Sequence, residues 1–101
     1  MEEVNLIIES KQQALDVYLP FVKQGAVLVH VVNSLELGEE VILNISFPEL
    51  KKEMRCQGKV VWVSAKTLQG RVNFGIQFFG EDCISMQQTI EKYLTGHLND
   101  E

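Results

Sequence analysis

Two apolar runs of period two, joined by a polar stretch that carries a glycine, most constrain what this chain can fold into. Gln57-Gly58-Lys59-Val60-Val61-Trp62-Val63 puts Val60, Trp62 and Ser64 on one side and Val61, Val63 and Ala65 on the other. Such a run of β-branched and aromatic residues suits a pleated strand with some contact on both faces. Phe74, Ile76 and Phe78 then recur at period two, the pattern of a second strand. Lys66 to Asn73 lies between them, so the spacing predicts a long antiparallel hairpin around which the rest of a sheet closes. Gly58, inside the first run, predicts a bulge or a barrel corner.

The flanking segments supply the other elements. Val4 to Glu9 reads as a first strand. Ser10 then caps a helix through about Leu19, with Leu15, Tyr18, Leu19 and Val22 at i, i+3, i+4 and i+7. Pro20 disfavours the α conformation at Leu19 and ends or turns that helix. Gly25 opens a strand running from Ala26 to Val32. Gly38 is the expected positive-φ residue of the next loop. Val41, Leu43, Ile45 and Phe47 mark a half-buried strand, Pro48 to Lys52 a turn, and Glu53 to Ala65 the long central strand. Asp82 caps a last helix through about Thr95, with Gly96 at its C′ position. Its apolar face carries Cys83, Met86, Ile90, Tyr93 and Leu94. His97 to Glu101 is read as a frayed tail.

A chain of 101 residues reads as one domain, the barrel at about 4–80 and the helix at about 82–95. That length buries about two-thirds of the unfolded surface, enough for a single core. The expected fold is mainly β: a six-stranded antiparallel barrel with a short N-terminal helix and a C-terminal helix.

Charge and chemistry narrow the function. Nine Lys and Arg against 14 Asp and Glu give a formal net charge of −5, which argues against nucleic acid and anionic membrane partners. No secretory leader pattern and no apolar run long enough to span a bilayer is present, so the expected location is the cytoplasm. Cys56 and Cys83 form no C-x-x-C pair and read as small core residues. His30 is expected on the outer side of its strand, and with His97 it makes no metal-ligand spacing. The carboxylates fall in loops and at helix ends, and no nucleophile or phosphate-loop motif occurs. The expectation is no catalytic, cofactor-binding or metal-binding residue. Tyr18, Leu19, Pro20 and Phe21 remain, either a cap on one end of the barrel or a docking patch for another protein. Trp62 is expected in the core, with an edge that could reach the surface.

In their order, Leu37-Gly38-Glu39-Glu40-Val41, Gly58-Lys59-Val60-Val61-Trp62 and Gly75-Ile76-Gln77-Phe78 followed by a helix resemble the PilZ domain. Tyr18-Leu19-Pro20-Phe21-Val22-Lys23 is similar to the segment that precedes the first glycine in the short type IV pilus biogenesis members. Many members of the family bind cyclic di-GMP through R-x-x-x-R and [D/N]-x-S-x-x-G. With that glycine on Gly25, Pro20 and Val22 stand where the acid or amide and the serine belong, and no arginine precedes Arg55. Phosphate and guanine recognition needs guanidinium forks, so the pattern argues against direct cyclic di-GMP binding by the usual mode.

The resemblance then implies a noncatalytic adaptor in type IV pilus assembly and twitching motility. Its implied partners are the pilus extension ATPase and a GGDEF–EAL domain protein, met at the inner face of the inner membrane. It also tilts Tyr18, Leu19, Pro20 and Phe21 towards an interaction surface, with Lys23 as a rim charge and Trp62 alongside. One alternative is a cyclic di-GMP receptor with a non-standard site around Lys59, Lys66 and Arg71. Another is a structural barrel that dimerises through its C-terminal helix.

Overall fold

The computed structural model describes residues 1–30, 35–64 and 72–99. Six strands and two helices follow in the order β1 (Glu2–Ile7), α1 (Lys11–Val17), β2 (Tyr18–Leu19), β3 (Ala26–Val29), β4 (Glu40–Phe47), β5 (Lys52–Val63), β6 (Phe74–Phe79) and α2 (Cys83–Asn99), with a 3-10 turn at Pro48–Leu50 between β4 and β5. The strands form one sheet in the order β1-β4-β5-β6-β3-β2. The fold is mainly β, as the periodicities predict, and β5 and β6 form the expected antiparallel pair. Val31 and Val32 at the end of the predicted third strand, and Ala65 to Arg71 of the predicted hairpin loop, lie outside the described residues.

The expected all-antiparallel barrel is corrected in two ways. β1 runs parallel to β4, and no pairing joins β1 to β2 among the described residues, so the sheet is mixed and open. Parallel pairing needs a long crossover, and α1, β2 and β3 all intervene between β1 and β4. The carbonyl of Ile7, at the end of β1, accepts a hydrogen bond from Gln13 Nε2 at 2.5 Å.

Helix α1 starts where expected: the Ser10 hydroxyl accepts the Gln13 backbone N–H at 3.1 Å, and Gln13 Oε1 accepts from the Glu9 N–H at 2.9 Å. It ends two residues earlier than expected. Tyr18 has already turned extended (φ −80°, ψ 134°) and pairs with Val27, as Leu19 does with Ala26. The expected helical stripe does not form: Leu15 is exposed and Ala14 is the helix's buried residue. Two short-range signals compete at Tyr18-Leu19-Pro20, and strand pairing prevails because Pro20 bars helical geometry at Leu19. Helix α2 departs the other way, continuing through Gly96 to Asn99 where a stop at Thr95 is expected.

Gly38 holds φ +88°, and its N–H donates to the Val60 carbonyl at 2.7 Å while the Val60 N–H donates to Glu39. The loop is thereby fastened to β5. The inner face of the sheet carries Val41, Leu43, Ile45 and Phe47 of β4, Cys56 and Val60 of β5, and Phe74, Ile76 and Phe78 of β6, all buried. Met86, Ile90 and Tyr93 of α2 close over this face, the Tyr93 ring meeting Phe47 edge-on at 5.7 Å. Each large aliphatic or aromatic side chain buried this way contributes roughly 1.5–3 kcal/mol. Both cysteines are buried and free.

Candidate functional site

The strand registers decide what lies on the outer face of the sheet. Tyr18, Val27 and Ile76 are paired in one row, and all three are buried on the helix-covered side. The next row, Leu19, Ala26, Gln77 and Lys59, therefore faces outwards. A second outward row joins Leu28, Gly75 and Trp62.

Trp62 reaches that row through a β-bulge. Val60 pairs with Ile76, and the next pair is Trp62 with Gly75, so Val61 is the extra residue. One extra residue reverses the in-and-out phase of the remainder of the strand. Two expectations are corrected here: the bulge is at Val61 and not at Gly58, and the Trp62 ring is on the outer face, 47% exposed, and not in the core. Val60 and Trp62, two apart in sequence, point to opposite faces for this reason. Gly58 has another role: an added Cβ would lie 2.5 Å from Ile76 Cγ2, so the position is small because the core passes close by.

The turn between β2 and β3 completes the site. It is closed by the Val22 N–H to Leu19 carbonyl bond at 3.3 Å and the Gly25 N–H to Val22 carbonyl bond at 2.8 Å. Gln77 Nε2 donates to the Lys23 carbonyl at 2.7 Å, tying this turn to the outer row. The turn presents Phe21 with 82% of its surface exposed. Leu19, Phe21, Val22, Leu28, Val61 and Trp62 then line a groove of about 340 Å³ whose walls are almost wholly carbon. Gly75 lies against two of its lining residues: a Cβ placed there would be 3.1 Å from Trp62 Cβ and 3.7 Å from Leu19 Cδ1.

Of the residues singled out from the sequence, Leu19, Phe21 and Trp62 converge on this groove. Pro20 and Lys23 are exposed in the turn beside it. Tyr18 does not join them. It is buried, and its hydroxyl donates to Glu91 Oε2 at 2.6 Å, tying β2 to α2. Burial, then the Glu91 carboxylate, pushes the Tyr18 phenol above its ordinary range. Val22, Leu28 and Val61 complete the lining without having been singled out. Leu28 was legible in part, since it alternates with Val27 and Val29 along an apolar run. Val61 was not, because nothing local marks the bulge.

This arrangement can hold an apolar side chain, and among the described residues its walls carry no acid, base or nucleophile. Among the described residues no group of three or more His, Cys, Asp or Glu side chains could hold a metal. His30 is exposed and hydrogen-bonds through Nδ1 to the Val72 carbonyl at 3.2 Å. Of the alternative cationic group, Lys59 is exposed on β5, while Lys66 and Arg71 lie outside the described residues. No helix among the described residues is long and apolar enough to cross a membrane. The profile of the PilZ domain family matches residues 3–96 of the chain. No curated protein sequence matches it closely enough to stand as a relative.

Proposed function

Because the chain belongs to the PilZ domain family, a family of cyclic di-GMP-related receptors and adaptors, we propose that this member is a noncatalytic adaptor that docks another protein on its Phe21–Trp62 groove. The observation that carries this reading is the groove itself. A nearly all-carbon depression beside a phenylalanine 82% exposed is what an interface anchor looks like before its partner covers it.

The finer assignment is to type IV pilus assembly and twitching motility. The pilus extension ATPase and a GGDEF–EAL domain protein are the proposed partners, met in the cytoplasm at the inner face of the inner membrane. In this reading the nucleotide is sensed by the partner. The N-terminal segment supports that division: it has Pro20 and Val22 at the motif positions before Gly25, and no arginine before Arg55.

Two titrations test the proposal. Calorimetry with cyclic di-GMP is expected to show no heat at high ligand excess. The purified EAL-domain partner and the ATPase are each expected to bind the wild-type chain and to lose at least about tenfold in affinity with Phe21→Ala or Trp62→Ala, the scale of a central anchor. Stoichiometric binding of the dinucleotide, or unchanged affinity of both partners for both variants, would overturn it.

A further inference from the structure

On the helix-covered side of the molecule, α1, the 3-10 turn, the start of β5 and the middle of α2 enclose a second depression of about 390 Å³. Lys11, Lys52 and Lys92 all line it, with Glu49, Leu50, Thr89 and Tyr93. Three of the seven lysines of a chain with net charge −5 thus meet at one place. Lys52 and Lys92 make no ion pair among the described residues. The Lys11 amine sits 5.6 Å from the centre of the Tyr93 ring, a cation–π contact that fixes its direction. The one carboxylate of the cleft, Glu49, accepts a hydrogen bond from the Tyr93 hydroxyl, which engages one of its oxygens.

We propose that this cleft binds an acidic, partly apolar peptide segment of a partner protein. Three lysine point charges match the carboxylates of such a segment, and the apolar part of the wall favours a peptide over a free phosphate. Leu50, 45% exposed on the wall, offers contact to an aliphatic side chain between the acids. The cleft lies on the other side of the sheet from the apolar groove, so both can be occupied together.

The test is an NMR amide titration of the full chain with acetyl-Glu-Glu-Leu-Glu-Glu-amide at low salt. Saturable shifts are expected at Lys52, Thr89 and Lys92. The double variant Lys52→Glu/Lys92→Glu is expected to weaken binding by about tenfold, and Lys52→Ala/Lys92→Ala by a smaller factor. Lys23→Glu/Lys59→Glu, with the same change in net charge, is expected to alter it less than about twofold. The proposal is overturned by absence of saturable shifts, by equal weakening in the two charge-reversed variants, or by pyrophosphate saturating the same amides more tightly than the peptide.

Discussion

Trp62 stands against Gly75 across the β5–β6 pair, so close that a methyl group on Gly75 would meet Trp62 Cβ at 3.1 Å. The contact exists because the bulge at Val61 turns Trp62 out of the core phase and into the row that includes Gly75. It couples the shape of the apolar groove to one strand register.

Gly75→Ala is expected to displace Trp62 and cost about 1 kcal/mol in urea unfolding. Because Trp62 is the chain's single tryptophan, a shift in its emission maximum reports the displacement directly. Partner affinity is expected to fall with it. An unchanged emission spectrum would mean that the ring does not rest against Gly75.

Gly58→Ala tests the core from the same strand. Its new methyl would lie 2.5 Å from Ile76 Cγ2 and 3.3 Å from Val41 Cγ2, and β-branched neighbours have little χ1 freedom to yield. Overpacking of this kind costs about 1–3 kcal/mol, read as a lower urea midpoint with little change in slope.

Two aromatics of the β2 segment and its turn should separate stability from docking. Tyr18→Phe removes the hydrogen bond to Glu91 and is expected to destabilise by about 1 kcal/mol while leaving partner affinity alone. Phe21→Ala, at a position 82% exposed, is expected to shift stability by less than about 0.5 kcal/mol and to lower affinity. Paired unfolding and binding measurements on the two variants decide it.

Alkaline stability should depend on Tyr93. Burial, followed by the hydrogen bond to and the charge of Glu49, pushes its phenol from 10.0 to about 12. Above pH 10 the unfolded chain loses this proton while the folded chain keeps it, so the unfolded state binds fewer protons and stability falls as pH rises. The contribution is whole below pH 10 and is lost progressively up to about 12. Urea midpoints across that window are expected to drop less steeply in Tyr93→Phe than in wild type.

Cys56 should be silent towards thiol reagents. It is 3% exposed, and burial, ahead of the nearby Asp82 charge and Cys83, raises its thiol from 9.0 to about 12. Thiolate is the reacting form, so labelling of Cys56 at pH 8 is expected only in denaturant. Rapid labelling of the folded chain would contradict the core placement.

The class of this fold follows from the order of residues alone, because period-two burial is a local property. Val41, Leu43, Ile45 and Phe47 alternate in the chain and alternate in the sheet, and Phe74, Ile76 and Phe78 do the same. The same order also determined the Ser10 cap, the positive-φ turn at Gly38 and the buried state of both cysteines, which depend on residues close by or on side-chain type. Leu19, Phe21 and Trp62 could be singled out as candidates for the surface, but not as neighbours. Their meeting depends on how distant strands pair. The short pairing of β2 with β3 sets Tyr18 against Val27, and a single extra residue in β5 reverses Trp62. Whether a side chain faces core or solvent then depends on register, which the partner strand sets. The parallel placement of β1, the burial of Tyr18 against Glu91 and the meeting of Lys11, Lys52 and Lys92 were equally beyond local reading. Each joins segments far apart in the chain, and no periodicity records which distant segments will touch.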